Sequence, residues 1–215
     1  MVQAMKEPAA AINGHTRDLV TLVLLEAVGS SVTSFVPVPF VDDYLLAQLL
    51  RRITRKVSDR AEQFYPAPID QLNAIVDGYV RAADHGLGEK AFNAAARFLL
   101  RKVALVLDVK RSHDVFGQSI AYALALDIAL KAEPFDAWRA PLVGRAIHRA
   151  TESVGSAAIE LISRAGRDAL NASSRAPEGA RLARVAEAIG KEVDSAHGRL
   201  EHLMRYELAR RASAR

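Results

Sequence analysis

The sequence contains no cysteine among its 215 residues. Disulfide bonds, thiolate nucleophiles and cysteine-ligated zinc or iron–sulfur sites are therefore excluded. Aromatic residues are also scarce, at 6 %, although half of the residues are hydrophobic. The apolar mass is mainly alanine, leucine, valine and isoleucine. With only 12 glycines and 8 prolines, this composition favours long helices over strands.

Motifs for nucleotide, metal or covalent chemistry are missing as well. The segment "GLGEK" lacks the spacing and the preceding strand of a phosphate loop, and there is no HExxH or Gly-x-Ser-x-Gly. His148 with Glu152, and His197 with Glu201, are spaced for two ligands on one helix face, but a di-metal bundle site needs paired Glu-x-x-His motifs, so surface hydrogen bonding is the simpler interpretation. We therefore expect a non-enzymatic protein with no catalytic residue, no cofactor and no bound metal.

The basic residues are concentrated in one segment. Residues 51–60 hold five basic side chains against one acid, a surplus of four that equals the net charge of the whole chain, +4. A general affinity for nucleic acid is not expected, and the lack of interleaved aromatic residues disfavours single strands. Such a charge block is most often a solvated face, with a binding surface as the alternative. We call these side chains the basic stripe: Arg51, Arg52, Arg55, Lys56 and Arg60.

The first apolar segment is close to the length that crosses a membrane. Residues 19–36 carry a single charge, Glu26, but serine, threonine and glycine dilute their second half. A spanning helix needs about 20 predominantly apolar residues, so the segment favours a buried core helix over a membrane span. The residues before it, 1–15, lack the features of a signal peptide and are expected to form a flexible leader.

Two prolines predict where the first helix ends. Pro37 and Pro39 each lack an amide hydrogen, and each restricts the residue before it. Asp42 or Asp43 can then cap a second helix, from about residue 43 to 64, and oppose its positive end. The two helices should form an antiparallel hairpin that turns the basic stripe outward.

The arrangement of an apolar helix, "VPVPFVDD", a second helix and a basic tail resembles a turn in bacterial helical proteins of the YcjF and EcsC kind. The similarity covers residues 20–60, about a fifth of the chain. The resemblance implies a bacterial, non-enzymatic, membrane-associated role, and it supplies no catalytic residues.

Hydrophobic periodicity predicts further helices after the hairpin. They occupy approximately residues 69–84, 89–107, 113–132, 141–165 and 177–211. The fourth of these is rich in small residues, which permit close helix approach. In the last one, apolar residues step by three and four, close to a heptad seam with one stutter. This seam consists of Leu182, Val185, Ile189, Val193, Ala196, Leu200 and Leu203.

These elements predict an all-α protein, a single bundle of about seven helices with a long amphipathic C-terminal helix. After the leader, we expect a helical core at residues 16–168, a linker at 169–176 and the C-terminal helix at 177–215. The C-terminal helix should pack on the core or on a second chain, in which case it would form a homo-oligomer.

Our leading functional hypothesis is an interaction protein. It would be cytoplasmic, peripheral at the inner membrane in one version, and would bind an anionic membrane surface or a protein partner through the helical hairpin and its basic stripe. The alternative is a small-molecule or lipid-binding protein, or an enzyme, with an apolar pocket between helices one, five and six. Asp127 or His148 would be the polar group in that pocket, although Asp127 could simply pair with Lys131 one turn later.

Overall fold

The computed structural model describes residues 7–33, 41–61, 68–82, 110–132, 139–174 and 176–212. In this part of the chain the regular elements are all helices and no strand occurs, which confirms the all-α prediction. The predicted helix at residues 89–107 lies outside the described residues. The seven described helices are α1 (Glu7–Thr33), α2 (Val41–Ala61), α3 (Ile69–Ala82), α4 (Lys110–Ala132), α5 (Ala140–Val154), α6 (Ser156–Ala172) and α7 (Glu178–Ala212).

α4 is the central helix of the bundle. Every residue from Ser119 to Leu130 is buried, and α4 contacts α1, α2, α5, α6 and α7. An apolar sequence on all sides of a helix is what such a position requires. The segment Asp114–Ala132 is long and apolar enough to cross a membrane, the one such helix among the described residues, and 78 % of it is buried in the fold. That burial is typical of a core helix.

α1 begins earlier than the sequence predicts. The helix starts at Glu7, so residues 7–15, which the sequence predicts to be part of a leader, are helical. Pro8 lies in the first turn, where its missing amide hydrogen removes no helical bond. Contacts with other helices hold this end in place, because Thr16 is buried and the ring of His15 hydrogen-bonds α2 and α4.

α1 and α2 form the predicted antiparallel hairpin. Gly29 lies near Leu49, while Glu26 and Asp18 pair with residues progressively later in α2. The connection at residues 34–40, which includes both prolines, lies outside the described residues. α2 begins at Val41, so Asp42 and Asp43 are in its first turn. Their side chains are not among the described ones, and their capping role stays a prediction.

The predicted helix at residues 141–165 is two helices. Gly155 has φ 91° and ψ 154°, a backbone conformation that glycine adopts far more readily than other residues, and it separates α5 from α6. α6 then continues to Ala172, so residues 169–172 are helical and not part of a linker. The helix extends this far because Leu170 continues the buried face begun by Ile159.

α3 and α5 approach each other backbone to backbone. A Cβ atom added to Gly144 would lie 1.9 Å from the carbonyl oxygen of Ile75, and one added to Gly78 would lie 2.2 Å from that of Pro141. Glycine at both positions therefore permits a contact that no side chain could occupy. This agrees with the close approach predicted for the small-residue segment.

α7 packs onto the core of its own chain. It contacts α1, α4, α5 and α6, and four residues of the predicted seam are at most 3 % exposed: Val185, Ile189, Val193 and Leu200. In the structure, α7 therefore packs on the core. Association of two copies through this helix stays a prediction.

Candidate functional site

Three cations of the basic stripe bind groups on neighbouring helices. Arg51 Nη2 lies 3.1 Å from Asp77 Oδ1 on α3. Lys56 Nζ donates to Glu26 Oε2 at 2.8 Å and to the carbonyl oxygen of Leu22 at 3.1 Å, both on α1. These contacts attach α2 to the helices on either side of it.

The third of these cations reaches the start of α1. Arg60 Nη2 lies 3.6 Å from Asp18 Oδ2 and 3.2 Å from Nδ1 of His15. The remaining two stripe residues, Arg52 and Arg55, are exposed on α2. Three of the five cations in the stripe thus contact neighbouring helices, and two are exposed.

A cleft of about 430 Å³ lies between α1, α4 and α7. Its lining residues are His15, Thr16, Asp127, Ile128, Lys131, Ala132, His197, Glu201 and Arg205. The sequence predicts a pocket whose third wall is the helix at residues 141–165. In this cleft the third wall is α7. The cleft wall is also not simply apolar, since it includes charged groups from α4 and α7.

Of the two polar groups predicted for a pocket, Asp127 lines this cleft and His148 does not. The ring of His148 packs edge-on against Tyr79, with centroids 5.3 Å apart. Its Nε2 lies 3.7 Å from Glu152 Oε2 on the same helix. His148 therefore has a packing and pairing role on α5.

The carboxylate of Asp127 joins α4 to α1. Its side chain is 6 % exposed, and its Oδ2 accepts hydrogen bonds from Lys131 Nζ at 2.7 Å and from His15 Nε2 at 3.0 Å. The predicted ion pair with Lys131 is thus present, and His15 adds a partner 112 positions away in sequence. A nearly buried carboxylate is expected to have such compensation.

His15 occupies the middle of a chain of contacts that runs from α2 to α4. If Nδ1 accepts from Arg60, the ring proton lies on Nε2 and is donated to Asp127. The ammonium of Lys131 also contacts Nε2. Two cations therefore flank a single imidazole, and one of them, Lys131, also contacts the buried carboxylate of Asp127.

The opposite wall of the cleft belongs to α7. Arg205 donates to Glu201 Oε1 through Nε at 3.1 Å and through Nη2 at 2.7 Å. His197 lies one turn before Glu201 and faces the same cleft. Partial burial raises the pKa of the nearby Asp194 carboxyl above its ordinary value, and His197 acts in the opposite direction by favouring the charged form.

The described side chains around the cleft are not arranged as a metal-binding site. Within the described ranges, no three or more histidine, aspartate or glutamate side chains are grouped so that they could hold one ion. The His148–Glu152 pair and the His197–Glu201 pair lie on different helices and do not converge. Organic ligands, which need shape and a few polar contacts, match the cleft better.

Sequence reasoning identified Asp127 but missed the residues that surround it. His15 was assigned to the leader, and His197 with Glu201 to surface hydrogen bonding. The signal for the α7 wall was the four-residue spacing of histidine, glutamate and arginine along one face. No known protein family, curated protein or solved structure matches the chain.

Proposed function

We propose that this protein binds a small polar molecule in the cleft between α1, α4 and α7. The observation that carries the proposal is the convergence of His15, Asp127 and His197, from three helices distant in sequence, on one open space of about 430 Å³. Ligand sites are typically concave, with an apolar wall and a few well-placed polar groups. Ile128 and Ala132 supply such a wall beside the charged residues.

A binding role is favoured over catalysis by the surroundings of His15. An imidazole acts as a general base through a ring nitrogen that is free to accept a proton. Here Nδ1 lies 3.2 Å from Arg60 Nη2, and Nε2 faces Asp127 and Lys131, so both ring nitrogens already have neighbours. We therefore propose a protein that holds its ligand without transforming it.

The test is a thermal-stability screen with anionic, neutral and cationic small molecules. Ala132→Trp places a large side chain at the cleft and should abolish any stabilisation that a ligand gives the wild-type protein. Ala183→Trp, an exposed position on α7 outside the cleft lining, is the matched control. The proposal fails if no compound stabilises the wild type, or if Ala132→Trp responds to ligands as the control does.

A second candidate is association with an anionic membrane surface or a protein partner through the hairpin, in the cytoplasm or at the inner membrane. It is favoured by Arg52 and Arg55, which are exposed side by side on α2. Each cation near an anionic leaflet contributes about 1 kcal/mol, so two would give only weak binding.

This second candidate is tested by flotation with anionic vesicles at low salt. Replacing Arg52 and Arg55 with glutamate should prevent flotation, and Arg164→Glu on α6, an exposed position, is the control. Wild-type protein that stays in the soluble fraction at low salt would exclude the membrane version.

A further inference from the structure

Two side chains donate to one carboxylate oxygen at the His15 end of the cleft. Oδ2 of Asp127 accepts from both His15 and Lys131, while Lys131 also lies against His15 Nε2. If Nδ1 accepts from Arg60, the ammonium of Lys131 faces an N–H group. If the proton moves to Nδ1, that N–H faces Arg60 instead. In either tautomer one of the two cations lies beside an N–H group of the ring.

Each cation at this end lies near a carboxylate. Arg60 and Lys131 contribute two positive charges, against which Asp127 is the nearly buried carboxylate. Asp18 lies 3.6 Å from Arg60, but its side chain is 72 % exposed, so solvent screens it. The lining of the cleft holds two cations, Lys131 and Arg205, and two carboxylates, Asp127 and Glu201. Its formal charges therefore balance, and an anion would be held by unused N–H groups and not by a surplus of positive charge.

The α7 wall adds donors that face the same space. Arg205 uses two of its five N–H groups on Glu201, which leaves three for another acceptor. His197 makes no hydrogen bond with the residues that the structure describes. Arginine and lysine side chains recognise carboxylate and phosphate oxygens through such donors.

We infer that the ligand of this cleft carries an anionic oxygen group, a carboxylate or a phosphate, bound between Lys131 on α4 and Arg205 on α7. The inference rests on the proposed function and specifies the chemistry of its ligand. The anionic oxygens accept from Lys131 and from the unused N–H groups of Arg205. Any apolar part of the ligand lies over Ile128 and Ala132.

The test compares ligands of matched shape by calorimetric titration of the full chain. Inorganic phosphate and butyrate are the two anionic probes, and they distinguish a phosphate from a carboxylate ligand. Butyramide is the neutral counterpart of butyrate. At least one anion should bind, and more weakly at high salt. If butyrate is the one that binds, butyramide should bind about tenfold more weakly, as expected for loss of a charge-assisted contact.

Variants locate the site. Arg205→Gln should weaken anion binding, by up to about tenfold, because charge-assisted hydrogen bonds to this exposed arginine are lost. Arg164→Gln on α6 is the matched control, since Arg164 also forms a 2.7 Å pair with a glutamate one turn earlier. Circular dichroism establishes that both variants are folded. Lys131→Gln should also weaken anion binding, because it removes the other proposed contact with the anion.

Three outcomes would overturn the inference. One is that neither anion binds. Another is that butyramide binds as tightly as butyrate and phosphate does not bind. The third is that Arg164→Gln weakens binding as much as Arg205→Gln. Failure of the proposed function is distinguishable, because then no compound of any charge gives stabilisation that Ala132→Trp abolishes.

Discussion

Two tyrosine hydroxyls lie in the interior, and each has a partner there. Tyr122 Oη is 2.7 Å from Thr54 Oγ1, and Tyr79 packs edge-on against Tyr122 with centroids 4.8 Å apart. Burial raises the pKa of Tyr79 to about 12; a hydrogen bond with Thr151 acts against this, and the charge of Glu152 adds to it. Burial also raises the pKa of Tyr122. Both groups are therefore structural and keep their protons over the physiological range.

Stability should fall in alkaline solution because of these tyrosines. The unfolded chain releases the Tyr79 proton near pH 10, whereas the folded protein retains it up to about pH 12. The contribution of Tyr79 to the free energy of unfolding is then fully present below pH 10. It is lost between pH 10 and about 12, a decrease of about 2–3 kcal/mol. Urea unfolding at a series of alkaline pH values measures it. Tyr79→Phe should flatten the dependence, and Tyr206→Phe, at an exposed residue, should not. Equal slopes in all three proteins would contradict the assignment.

At the scale of the element, the contact between α3 and α5 depends on two missing side chains. Gly78 and Gly144 bring the helix backbones together at the points where a Cβ atom would overlap a carbonyl group. A similar close approach joins α4 to α6, where a Cβ atom on Gly117 would lie 2.7 Å from the carbonyl oxygen of Ile159. The cost of replacing Gly78 or Gly144 is therefore steric.

Gly144→Ala should destabilise the protein by about 1–3 kcal/mol, even though alanine is the better helix former. The backbone oxygen of Ile75 would lie 1.9 Å from the new methyl group, so the helices must separate. Gly198→Ala is the matched control, because nothing lies within 4 Å of that site on α7. It should be neutral or stabilise by up to about 1 kcal/mol. Thermal unfolding of both variants measures the difference. Equal melting temperatures would show that α3 and α5 can separate to accept the methyl group at no cost in stability.

The start of α2 carries a prediction about charge and capping. Asp42 and Asp43 are the second and third residues of the helix, where carboxylates oppose the positive helix end. Replacing both with alanine should lower the free energy of unfolding by about 0.5–2 kcal/mol. Asp70, in the first turn of α3, provides a comparable single variant. A double variant as stable as wild type would show that neither aspartate supports the helix.

Local patterns predicted elements more accurately than contacts between them. The bounds of α2, α3, α4 and α7 agree with the sequence to within about three residues, because each presents a continuous buried face that repeats with the helical period. The break at Gly155 lies inside such a face, where the repeat gives no sign of it. The cleft was not predicted because its walls meet only when α7 crosses α1 and α4, and spacing along one chain segment carries no information about that crossing.

At the scale of the whole molecule, α7 is the helix that holds the two ends of the chain together. It is 35 residues long, about 50 Å at the rise of an α-helix, and it contacts α1 near the N-terminus as well as α4, α5 and α6. The same helix supplies His197, Glu201 and Arg205 to the cleft. A ligand that binds across the cleft therefore also stabilises the docked position of α7.

Leu200→Asp should weaken that docking strongly. Leu200 is 3 % exposed, and a buried carboxylate without a partner, added to the loss of an apolar side chain, should cost at least about 3 kcal/mol. Leu203→Asp should cost less because Leu203 is only partly buried, and His202→Asp, on the exposed face of the same turn, should cost little. Urea unfolding measures the stabilities, and light scattering of the same samples reports whether the chain is a monomer. A Leu200→Asp variant as stable as His202→Asp would show that α7 is not docked in solution. Dissociation of an oligomer by Leu200→Asp without loss of stability would place the seam between two chains instead.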